Sequence, residues 1–139
     1  MRNKEKFVFY LETFLLTVSF VLVIVVLSSF LVRSSRKTVY ARDLTNLVCL
    51  SENVAETTKA ADSLEELYEL LNENGNASYE GEKIVVTYDE ELKPAKDGRY
   101  RLTVSYQIED EMVTADIDAS VKDTVIYELE LAQYKGGTE

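Results

Sequence analysis

Phe14 to Val32 is a run of nineteen residues without a charge, and no Gly or Pro occurs anywhere before Gly75. Nothing in that span removes a backbone donor or adds conformational freedom, so a single helix can begin in hydrocarbon and continue into water as far as about Ala61. From Phe7 to Val32 such a helix rises roughly 39 Å, enough to cross a hydrocarbon core of about 30 Å. Arg2, Lys4 and Lys6 precede the apolar run and no small-x-small cleavage pattern follows it. The segment is therefore expected to be a retained single-pass transmembrane anchor in the cell membrane rather than a removed signal peptide. Glu12 sits at the front of the run. A carboxylate beside hydrocarbon is costly and needs a cation or a proton, which makes Glu12 the most informative residue of the chain.

Charge divides the sequence. Residues 1–42 carry a net +5 and residues 43–139 a net −15, for a total of −10 over 139 residues. That length allows a membrane segment and one modest domain. An acidic domain repels phosphate backbones, so no nucleic-acid partner is expected. Basic residues flank the apolar run on both sides, which leaves the positive-inside count undecided. A short amino-terminal tail before a large acidic domain favours the amino terminus inside and the domain outside. Cys49 is the sole cysteine and there is no histidine, so an intramolecular disulfide and the ordinary zinc sites are excluded, and no metal or cofactor is expected. Cys49 reads as a small half-buried apolar residue of a helix.

The resulting plan is α+β. Residues 1–6 form a basic cytoplasmic leader, 7–32 the transmembrane helix, 33–61 its amphipathic continuation, and 62–139 a globular part. In the continuation, Tyr40, Leu44, Leu47, Val48, Ser51, Val54, Ala55 and Thr58 recur at spacings of three and four, with Arg42, Asp43, Asn46, Glu52, Asn53, Glu56 and Lys59 on the other side. The apolar stripe needs a cover. Ser63 and Glu66 predict a capping box opening a short connecting helix of about three turns that Gly75 closes. Four runs of strand type follow: Lys83 to Tyr88, Tyr100 to Ile108, Met112 to Val121 and Val125 to Tyr134. In the last, Val125, Tyr127, Leu129 and Leu131 oppose Glu128 and Glu130. Short connectors at Asp97-Gly98, Glu109-Asp110-Glu111 and Lys122-Asp123-Thr124 predict an antiparallel meander of four strands, one face of which covers the helix.

Asp89-Glu90-Glu91 and Glu109-Asp110-Glu111 are the candidate acid clusters. Each falls at a strand end and reads as a solvated turn. Without a histidine, a Gly-rich phosphate loop or a nucleophile motif, no enzyme is expected. Neither cluster has the alternating oxygen ligands of a calcium loop. Asn76-Ala77-Ser78 fits a glycosylation sequon and reads as a polar loop.

This plan, with the stretch Phe7-Val8-Phe9-Tyr10-Leu11-Glu12-Thr13-Phe14-Leu15-Leu16, resembles type IV pilins and the pseudopilins of type II secretion systems. Leu47 to Ala60, Tyr88-Asp89 and the closing Ile126-Tyr127-Glu128-Leu129 through Tyr134 are similar to minor pilin-like proteins of Gram-positive clostridia. The resemblance implies a structural subunit whose front helices bundle in a filament core, with Glu12 as the assembly residue, matching the family's fifth mature glutamate. It implies as partners other pilin or pseudopilin subunits, membrane lipid, an assembly platform protein and a prepilin peptidase. Alignment on Glu12 puts the candidate processing bond between Phe7 and Val8, where the family has Gly before the cut and this chain has Phe7. The alternative is a single-pass membrane protein with an extracytoplasmic protein-binding domain that does not polymerise.

Overall fold

The computed structural model describes residues 2–136. Helix α1 runs Arg2–Ala60 without interruption, as the absence of Gly and Pro permits. Its Val and Ile run is a mediocre helix former in water, but in hydrocarbon every backbone N–H and C=O must be satisfied within the segment, and a helix does this. Two compact units divide the chain, Met1–Ala41 and Arg42–Glu139. In the first, residues 2–41 are all helical and all exposed. The helix is long and apolar enough to cross a membrane.

The second unit holds the last turns of α1, a short helix α2 at Leu64–Leu71, and five strands. They are β1 (Ala77–Glu80), β2 (Lys83–Tyr88), β3 (Tyr100–Glu109), β4 (Met112–Val121) and β5 (Thr124–Tyr134). Each pairs antiparallel with its neighbour in sequence, giving the sheet order β1-β2-β3-β4-β5. The sequence predicted four strands. β1 escapes it because four mostly exposed residues carry no alternation of period two.

One apolar layer forms between helices and sheet. Leu47, Leu50, Val54 and Ala55 of α1 and Leu67 and Leu71 of α2 join the inward rows of β2, β3 and β4, among them Ile84, Val86, Leu102, Val104, Ile117 and Ala119. The expected helix stripe is thus found over the sheet, with a rotated edge. Tyr40 is exposed, Leu44 and Val48 are half-buried, Leu50 is buried, and Asp43, expected on the wet side, is 4 % exposed. Cys49, expected half-buried, is exposed.

Ser63 caps α2, its hydroxyl accepting from the Glu66 N–H at 3.1 Å, while the Glu66 carboxylate accepts from the Asp62 N–H at 2.8 Å. The helix has eight residues, shorter than three turns, because Asn72 stops it: the Asn72 N–H donates to Tyr68 O, and its side-chain oxygen then accepts from the Ala77 N–H. Gly75, at φ +70, turns the chain toward β1.

The hairpins β3–β4 and β4–β5 are two-residue loops, Asp110–Glu111 and Lys122–Asp123, tighter than the three-residue connectors expected. All four residues have φ between +46 and +68. That is the conformation a two-residue hairpin needs to follow the strand twist, reached here without glycine.

β5 departs from simple alternation. Ala119 faces Tyr127 but Ser120 faces Val125, so Ile126 is an extra residue in a bulge. A one-residue insertion reverses which face the following side chains occupy. Val125 therefore leaves the row of Tyr127, Leu129 and Leu131 in which the sequence pattern had set it.

Candidate functional site: an unpaired acid in an apolar helix

Glu12 is the one charged residue between Phe7 and Val32. It stands on the exposed surface of α1 among Phe9, Leu16 and Phe20, with Thr13 and Thr17 beside it. Both hydroxyls turn back onto their own helix: Thr13 donates to Phe9 O and Thr17 to Thr13 O, each at 2.9 Å. Ser29 does the same to Val25 O at 2.9 Å. Such bonds remove the demand of the hydroxyl for an outside partner in hydrocarbon. Glu12 has no equivalent. Among the described residues it makes neither a hydrogen bond nor an ion pair, and Lys4 and Lys6 are not paired with it. Phe7 and Val8, which flank the candidate processing bond, are helical and exposed.

A second polar constellation lies within the 42–139 unit, and sequence reading missed it. Asp43 of α1 accepts from Arg99 at 2.7 Å through Oδ2 and 3.4 Å through Oδ1, and from the Tyr100 hydroxyl at 2.8 Å. Asn46, one turn along α1, donates to the same hydroxyl at 2.9 Å. Burial alone would raise the Asp43 pKa. The hydrogen bonds from Arg99 and Tyr100, with the charges of Arg99 and Arg42, outweigh it and hold the carboxyl below its ordinary value. Hydrogen bonding to Asp43 likewise raises the Arg99 pKa against the opposing effect of burial. These bonds join Asp43, Asn46, Arg99 and Tyr100 into one network that ties α1 to the start of β3. The one available signal was an Asp at helical spacing with the buried row.

Both acid clusters are turns. Asp89 Oδ1 accepts from the Glu91 and Lys93 N–H groups at 2.9 and 3.0 Å, which closes the turn after β2. Asp110 and Glu111 form the β3–β4 hairpin loop. Among the described residues no group of three or more His, Cys, Asp or Glu is placed to hold a metal ion.

Asn76 lies in the loop between Gly75 and β1 as expected, but it is buried there, its amide donating to Thr87 O at 2.9 Å. A groove of about 500 Å³ lies beside it, with Lys96, Arg99, Arg101 and Lys122 on its walls. Arg101 is engaged by Glu80 and by Asp123, and Arg99 by Asp43, so half of its positive charge is already neutralised. No protein-family model, curated protein or solved structure matches the chain.

Proposed function

We propose that this chain is a structural subunit, of the minor pilin or pseudopilin kind, of a type IV pilus-like or type II secretion-like filament, assembled through the front of α1. The observation that carries this reading is one uninterrupted 59-residue helix whose exposed apolar front holds one carboxylate, Glu12, unpaired among the described residues, and whose rear is packed on an antiparallel sheet. Among the described residues Glu12 fixes nothing, so in an isolated membrane anchor it would add cost without return. A cation on a neighbouring subunit would repay that cost at the moment of association. In this reading the amino terminus is cytoplasmic, the acidic unit is extracytoplasmic, and the partners are sister subunits, membrane lipid, a platform protein and a prepilin peptidase.

The test is incorporation. With Glu12→Gln and Glu12→Ala, membrane insertion and folding of the 42–139 unit should persist while the subunit disappears from the sheared surface fraction. Parent-like recovery of both variants in that fraction would remove the main support for the proposal.

Phe7 favours a second reading, a membrane-bound protein-binding subunit that does not polymerise, because it occupies the place where the peptidase of the resembling family meets Gly. Intact-mass measurement of membrane-extracted protein bears on the choice: loss of residues 1–7 supports a processed filament subunit, and their retention favours a minor or non-polymerising role.

A further inference from the structure

β5 ends the sheet. It is eleven residues long, and among the described residues it pairs with β4 alone, leaving a free edge of about 36 Å at roughly 3.3 Å per residue. Long open edges are ready templates for another strand. Two further observations bear on what this one would take.

On the helix-facing side, the β4 row of Val113, Ala115, Ile117 and Ala119 is fully buried, whereas the adjoining β5 row of Tyr127, Leu129 and Leu131 is only half-buried. The apolar layer therefore stops one strand short of closure. On the opposite side, Asp116 stands directly across from Glu130 and Asp118 across from Glu128. Like charges so placed destabilise a sheet. None of the four carboxylates is in an ion pair among the described residues.

We propose that β5 receives a sixth strand from a different protein, an extended segment in which apolar residues alternate with Lys or Arg. Its apolar residues continue the Tyr127-Leu129-Leu131 row and close the core, and its cations stand beside Glu128 and Glu130. Backbone bonding along the free edge supplies the affinity, and the alternate side chains supply the selection. A second copy of this chain is the wrong occupant. Antiparallel pairing of β5 with itself about Leu129 sets Glu128 against Glu130 twice, and the other free edge, β1, offers Ala77, Ser78, Tyr79 and Glu80 with no cation. The inference does not depend on whether the chain polymerises.

The experiment uses the full chain in detergent micelles and three synthetic nonapeptides: alternating Val and Lys, alternating Val and Glu, and the Val/Lys composition with its lysines grouped at one end. Amide exchange is followed by residue. The alternating Val/Lys peptide should slow exchange within 124–134 and nowhere else, and the other two should not. Glu128→Lys combined with Glu130→Lys should weaken binding of the Val/Lys peptide by roughly tenfold or more and admit the Val/Glu peptide. Glu128→Gln with Glu130→Gln should weaken the first without admitting the second. Three results would overturn the proposal: no added protection in 124–134, equal protection by the grouped peptide, or protection that rises with protein concentration in the absence of peptide, which would assign the edge to a second copy.

Discussion

Asp43→Ala is expected to lower the stability of the 42–139 unit by about 3 kcal/mol, because it leaves the Arg99 guanidinium without its main partner and the Tyr100 hydroxyl without its acceptor. Asp43 and Arg99 are mostly buried, with side chains 6 % and 21 % exposed. Among the described residues the other carboxylate paired with Arg99 is Glu90, at 3.6 Å and largely in solvent. Exposed pairs such as Lys59 with Glu56 are worth only a few tenths of a kcal/mol and should tolerate the same truncation. The pH dependence has a defined sign. Asp43 titrates below its ordinary value in the folded chain, so the unfolded chain binds more protons between the two values and stability rises with pH there. The contribution is complete above the unfolded carboxyl value of about 3.9 and is lost as pH falls through the folded one. Asp43→Asn should flatten that acid limb while keeping the shape of the site. Denaturant titration of full-length protein in detergent, between pH 2.5 and 7, measures both effects. A loss below about 1 kcal/mol with an unchanged acid limb would mean that the constellation is solvated and carries little.

Leu47→Ala is expected to cost a comparable 3–4 kcal/mol, combining lost burial with a cavity that the sheet beneath cannot collapse to fill. Leu47 is fully buried in the layer between α1 and the sheet. Its neighbours on that layer include Ile84, Leu102 and Ile117, all at zero exposure, so no side chain there has slack to move inward. Cys49→Ala, two residues along on the exposed side, should change stability by less than about 0.5 kcal/mol. The contrast distinguishes a docked helix from one that merely runs beside the sheet. If the two variants unfold at the same denaturant concentration, the rear of α1 is not part of the core.

Most of the architecture was legible because it is written in local periods. The change from three-and-four spacing before Ala61 to alternation after Tyr79 separates helix from strand, and turn residues divide the strands almost where they end. What escaped depends on partners remote in sequence or on geometry below the resolution of a period. Asp43 looks like a surface acid until Arg99 and Tyr100, more than fifty residues away, meet it. The bulge at Ile126 inserts one residue and reverses the face of Val125, an event that alternation alone cannot place. β1 is too short to show a pattern. The burial of Asn76 escaped for the same kind of reason, since its partner is a strand carbonyl eleven residues on. Glu12 is the opposite case. Its singularity is a property of the sequence, and the fold adds that no group within the described chain answers it.

The absence of an internal partner also sets the limit of what folding can explain about the front helix. Its apolar surface is satisfied by lipid or by other helices alike, because hydrocarbon tails and leucine side chains are equally apolar. Only the carboxylate discriminates between those two surroundings.

Cross-linking between copies around Glu12 therefore tests the account most directly. In a Cys49→Ser background, single cysteines at Leu11, Thr13, Phe14 and Leu15 sample a full turn of α1 about the acid. Mild oxidation of intact cells is expected to give disulfide-linked pairs of subunits from at least one of these positions, and the pairs should vanish when Glu12→Ala is added. Monomer at all four positions, or pairs that persist without the carboxylate, would contradict it.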